Sequence, residues 1–197
     1  MSNKFSIHYL SQAWLVLLLA ILYGGGLAFV NSTLSPKIAE NIKNETYSLI
    51  PSLVGNPEAF EVTELLMPME NGENRTLYQV TGPESQGIGW VLPASALGFA
   101  DRIQVLVGTD YNCSTILSLR VIDQKETPGL GNLIVEPAFH SQFDGKSTDT
   151  PIRIVKSAPA KASEVTAVTG ATISSVTVAD AVNEAIRLAK PFIASQI

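Results

Sequence analysis

The sequence predicts an α+β chain: one N-terminal transmembrane helix, then a single domain with an antiparallel sheet and packing helices. Three observations carry this. No Lys, Arg, Asp or Glu lies between Lys4 and Lys37. Residues 60–123 fall into short β-rich runs separated by turn signals. Near the end, Val178, Val182, Ala185, Ile186 and Ala189 recur at helical spacing.

Composition narrows the function classes. Apolar residues make up 46% of the 197 positions and charged residues 16%, the reverse of a disordered chain. A single cysteine excludes an internal disulfide framework and any multi-cysteine zinc or iron–sulfur site. Two histidines do not make a histidine-rich metal site. The net charge of −5 argues against nucleic acid as a partner. No Ser/His/Asp set, metal cluster or Cys–His arrangement stands out as an active site.

The apolar run 13–30 is long enough to cross a bilayer, since 18 helical residues rise about 27 Å. Tyr9, Trp14 and Tyr23 are candidate interfacial aromatics. A cleaved signal peptide is the rival reading, but its apolar region is shorter, about 7–15 residues, behind a more basic start. Gly24, Gly25 and Gly26 permit close approach by partner helices. Lys4 and the amino terminus on one side, and Lys37 and Lys43 offset by Glu40 and Glu45 on the other, leave orientation undecided by charge.

Residues 33–50 read as a second helix leaving the membrane, with Thr33 or Ser35 as cap, Pro36 in its first turn and Pro51 as its stop. Strands are expected at 60–66, 76–81, 88–92, 103–108 and 115–122, punctuated by Asn71-Gly72 and Gly82-Pro83. Asp110-Tyr111-Asn112 is the expected turn between the last two. A short helix near 136–143, a turn at Asp144-Gly145 and a strand at 152–155 follow, then a final helix to about Ala194. Cys113 is expected to be an inert strand-end residue, and His140 a structural one.

Two segments carry chemistry. Thr169-Gly170-Ala171-Thr172 stands just before the last helix. The first N–H groups of a helix lack internal acceptors and the helix dipole is positive there, so this is a phosphate site. Thr172 adds a hydroxyl that a phosphate can esterify, or that simply caps the helix together with Ser175. Lys125-Glu126-Thr127-Pro128-Gly129-Leu130-Gly131 follows a strand and holds a Pro-Gly pair suited to a type II turn.

Together these segments resemble a family of proteins that carry covalently bound FMN. Thr169-Gly170-Ala171-Thr172 is similar to its Ser/Thr-Gly-Ala-Thr motif, and 125–131 to its Lys-Glu-Thr-Pro-Gly-Leu-Gly stretch. Gly98-Phe99 before the strand 103–108 resembles its Gly-Tyr pair. The chain resembles above all the G subunits of Rnf electron-transport complexes, and more distantly the C subunits of sodium-pumping NADH:quinone oxidoreductases. Two positions depart from the pattern. Thr166 stands where the family commonly has Asp, and Ala100-Asp101-Arg102 replaces a more glycine- and proline-like turn.

The resemblance implies a 1–12 cytoplasmic tail, a 13–31 transmembrane helix, a 32–58 connecting helix and a 59–197 FMN-binding domain outside the cytoplasm of a bacterial cell. It implies FMN joined to Thr172 by a flavin transferase, with Thr169, Gly170 and Ala171 around the phosphate and Thr127, Leu130 and Gly131 beside the flavin ring. For Glu126 two expectations stay open, a place in the site or a pairing with Lys125 or solvent. The implied function is electron relay between ferredoxin and NAD in an ion-translocating membrane complex, with other membrane subunits and the bilayer as partners. The alternatives are the equivalent quinone-reductase subunit and a non-redox, membrane-anchored interaction module.

Overall fold

The computed structural model describes residues 3–55, 57–69 and 72–197, and their side chains from residue 13 onward except at 39. The side chains of Lys4 and Tyr9, and Asn71 altogether, lie outside the described residues. The chain divides into two compact units, 1–47 and 48–197.

One uninterrupted helix, α1 (Asn3–Leu53), replaces the two expected ones. Thr33 and Ser35 cap nothing. Their hydroxyls donate to the carbonyls of Phe29 and Asn31 four residues back, at 2.8 and 2.7 Å. That bond keeps a hydroxyl residue inside a helix. Pro51 lies within the last turn, and the helix stops where Gly55 adopts φ +88°. From Ala13 onward this is a helix long and apolar enough to cross a membrane. Trp14, Ile21, Leu27 and Phe29 are all more than half exposed.

Five strands follow: β1 (Glu61–Pro68), β2 (Asn74–Thr81), β3 (Gly87–Leu97), β4 (Arg102–Asp110) and β5 (Ile116–Asp123). They pair in sequence order, each antiparallel to the next. Alternation along the strands gives two apolar faces. On one, Trp90, Leu92, Ile103, Val105, Val107 and Leu119 meet the closing helix α3 (Thr172–Ala194). On the other, Val91 and Leu106 are buried, as are Ile50 and Leu53 at the end of α1 and Val54 just after it. Gly89 and Gly108 make that approach possible. A Cβ at Gly108 would strike the Leu53 carbonyl; one at Gly89 would strike the Thr109 carbonyl of the neighbouring strand and lie 3.3 Å from Val54.

Between β5 and α3 run a 3-10 turn (Gly131–Val135), the one-turn helix α2 (Pro137–His140) and a second 3-10 turn (Ser141–Phe143). Two short strands, β6 (Arg153–Val155) and β7 (Glu164–Thr166), then pair in parallel. Only the first of them is expected from the sequence. Side-chain amides pin both. Asn183 exchanges hydrogen bonds with the Ile152 backbone at 2.8 and 2.9 Å, and Gln142 accepts from the Thr166 N–H at 2.8 Å. Each amide carries a donor and an acceptor, so it completes a strand edge as a neighbouring strand does.

His140 is buried, with Nδ1 3.1 Å from an Arg120 guanidinium nitrogen. Arginine only donates, so Nδ1 accepts and the ring is neutral. Burial first, then Arg120, holds the histidine below its ordinary value of 6.5, against a smaller opposing pull from Glu136. An unfolded histidine therefore binds its proton at a higher pH than the folded one. Stability should fall as pH drops through about 6.5 toward the folded value, and level off below it. Urea midpoints followed by Trp90 fluorescence in a Trp14→Phe background should show that decline, and His140→Gln should flatten it.

Candidate functional site

The two chemistry-bearing segments form two turns that lean on each other. In the first, the Leu130 N–H closes onto the Thr127 carbonyl at 3.1 Å and Gly129 takes φ +75°, as a type II turn requires. In the second, the Ala171 N–H closes onto Val168 at 3.0 Å and Gly170 takes φ +81°. A Cβ on Gly170 would lie 3.0 Å from Leu130 Cδ2, so the turns meet at that glycine.

The second turn feeds directly into α3. No side chain caps that helix, so Thr172 is not its cap. Ser175 braces the junction instead. Its hydroxyl accepts from the Val168 N–H at 3.0 Å and donates to the Ala171 carbonyl at 2.9 Å. By helix geometry the amides of Thr172, Ile173 and Ser174 have no intrahelical acceptor. They form an anion-binding end beside a half-buried threonine.

A cleft of about 360 Å³ opens there. Thr172, Gly170, Ala171, Glu126, Thr127, Leu130 and Gly131 all line it. Thr169, exposed in the turn, does not. Three further lining residues are not expected from the sequence as site members: Phe99, Ile173 and Ser174. Phe99 carried a signal, its place in the Gly98-Phe99 pair. Phe99, Leu130 and Ile173 are 68%, 46% and 57% exposed, so the rim offers apolar surface to a ligand.

Glu126 pairs with neither Lys125 nor solvent. Lys125 reaches Asp101 at 2.7 Å, an exposed pair in which each group stabilises the other's charge. Glu126 is buried. Its Oε1 accepts from the Phe99 and Ala100 N–H groups at 2.9 and 3.0 Å, and its Oε2 from the Ser174 hydroxyl at 2.6 Å. Gly98 and Gly131 leave room for it. A Cβ on Gly131 would lie 2.7 Å from Glu126 Cβ and Oε2 and 2.8 Å from Ser174 Oγ, and one on Gly98 would strike Oε1.

Residues 98–187 match the FMN-binding domain family, a stretch that holds every residue lining the cleft. Over 156 residues the chain is 31% identical to the G subunit of the Na(+)-translocating ferredoxin:NAD(+) oxidoreductase complex of Acetobacterium woodii, covering 78% of this chain and 69% of that one. It is 35% identical over 120 residues to the G subunit of an ion-translocating oxidoreductase complex of Methanosarcina acetivorans, covering 60% and 61%. The chain thus spans under two thirds of that relative's length. The crystal structure of NqrC from Shewanella oneidensis shares the fold, with a TM-score of 0.57 and 21% identity over 73% of each chain.

The cleft's chemistry fits FMN. Unpartnered helix amides and a hydroxyl suit a phosphate, glycine turns allow close backbone approach, and an apolar rim suits a flat ring. Gly131 should be the least replaceable glycine of its loop. Gly131→Ala should cost about 1–3 kcal/mol through overpacking against Glu126 and Ser174. Gly129→Ala, with nothing within 4 Å, should cost only the left-handed strain of about 1–2 kcal/mol. Thermal unfolding of the two variants should rank them in that order.

Proposed function

The chain belongs to the family of G subunits of ion-translocating (Rnf) oxidoreductase complexes, and we propose that it relays electrons there through FMN held on Thr172 by a phosphoester. The observation that carries the reading is the placement of Thr172. It is the first residue of α3, uncommitted to a cap and facing the cleft. FMN, when bound, supplies a centre that takes up and releases electrons. The α3 amides hold its phosphate, and the Thr172 hydroxyl oxygen carries the ester once a flavin transferase has cleaved FAD and released AMP. Phe99, Leu130 and Ile173 would offer apolar surface to the ring. Thr127 and the backbones of Gly131, Gly170 and Ala171 complete the walls.

In this reading the donor and acceptor at the ends of the complex are ferredoxin and NAD, and neighbouring membrane subunits pass the electrons to and from the cleft. The relation to the C subunit of a Na(+)-translocating NADH-quinone reductase, 29% identical to that of Vibrio alginolyticus over 36% of its length, is more remote and covers less. The anchor is α1, with residues 1–12 in the cytoplasm and the 59–197 domain outside. A long domain translocates largely regardless of its charge, which is compatible with that side.

Thr172→Ala should abolish covalent FMN and leave the domain folded. Because no cap is lost, its stability should change by about 0.5 kcal/mol or less. Thr172→Ser should retain part of the flavin. Intact-mass analysis and fluorescence of the denatured band read the outcome, and covalent flavin persisting in the alanine variant would exclude Thr172 as the attachment point.

Protease added to right-side-out spheroplasts should remove the domain and leave α1 membrane-bound. Protection there, with cleavage in inverted vesicles, would mean that the domain faces the cytoplasm.

A further inference from the structure

We propose that Glu126 is a positioning and tuning residue of the flavin site: its buried carboxylate joins three walls of the cleft and sets a fixed negative charge beside the electrons received there. This deepens, and rests on, the reading of the cleft as the FMN site.

The positioning half follows from the hydrogen bonds. Oε1 holds the turn at residues 99 and 100, Oε2 holds the first turn of α3 through Ser174, and Glu126 itself starts the 126–131 loop. The Gln124 side chain accepts from the Glu126 N–H at 2.7 Å, which fixes the backbone from which the carboxylate projects. Gly98 and Gly131 admit the carboxylate and nothing larger beside it.

The tuning half follows from charge. All three partners are donors, the set that an ionised carboxylate accepts. Among the described residues no cation forms an ion pair with it, since the neighbouring Lys125 is taken by Asp101. In a partly dry cleft a fixed negative charge disfavours the arrival of electrons, so it lowers the reduction potential of FMN held against the same wall. The Ser174 hydroxyl and the N-terminal end of α3 offset part of that charge.

Three measurements test this. Glu126→Gln keeps the shape and two acceptor bonds but removes the charge, so it should retain covalent flavin and shift the midpoint potential positive. Ser174→Ala keeps the charge but removes its hydroxyl donor, and should shift the potential negative. Simple loosening of the cleft would move both variants the same way, so shifts of one sign, or none, would overturn the tuning role. The third measurement needs no flavin. In a Thr172→Ala background, Glu126→Ala should speed amide exchange at Phe99 and Ala100 by about tenfold or more, as lost charge-assisted bonds imply. Unchanged protection would overturn the positioning role. If Glu126→Gln fails to fold, a positive or absent shift in Ser174→Ala still overturns the tuning role, and the exchange measurement still judges the positioning role. A wild-type chain that carries no flavin would refute the proposed function, and the exchange result would still judge the positioning role.

Discussion

The cleft depends on one buried carboxylate accepting three hydrogen bonds. Glu126 binds three residues in two other segments, 26, 27 and 48 positions away from it. A charge out of water is costly unless hydrogen bonds replace its hydration. Two backbone amides and one hydroxyl do so; hydrogen bonds to a charged group contribute about 1.5–3 kcal/mol each, net of the water they replace. What the arrangement also secures is placement. The 98–100 turn, the 126–131 loop and the start of α3 share a common anchor, and the gap between them becomes the cleft.

The rest of the domain brings these segments together. An antiparallel meander returns the β3–β4 turn to the end of the sheet where β5 exits. α3 crosses one face on the Trp90 core, and its first turn arrives at that same end. The end of α1 covers the opposite face, admitted by glycines on β3 and β4. Gln142 and Ser175 tether Thr166 and Val168 on the approach to α3. The glycine turn there is held from both sides, and its backbone is presented in a defined conformation.

The anchor obeys a different solvent. Its apolar residues from 13 to 30 are exposed in isolation, where a water-soluble core would bury them, and a bilayer supplies the missing apolar medium. Gly24, Gly25 and Gly26 have nothing within 4 Å of their ideal Cβ positions. Small residues of this kind permit close approach by a neighbouring helix in a bilayer.

The α+β class, the apolar helix, all five sheet strands and the Pro128-Gly129 turn were legible in the sequence, because each rests on local rules. These are uninterrupted apolarity, period-two alternation, and glycine where a turn needs positive φ. What failed locally failed for physical reasons. The helix runs through Pro36, so a proline does not mark a helix start there, and β7 is too short to carry a period. The cleft's membership was only partly legible. Phe99 carried only the hint of the Gly98-Phe99 pair and Ser174 carried none; both join the wall through hydrogen bonds to Glu126, tens of positions away. Glu126 shows the division most clearly. Its side chain could have reached Lys125 or water by any local rule. Packing of its loop against two distant segments, with Gly98 and Gly131 leaving space for it, directed it inward, and only the tertiary structure holds that information.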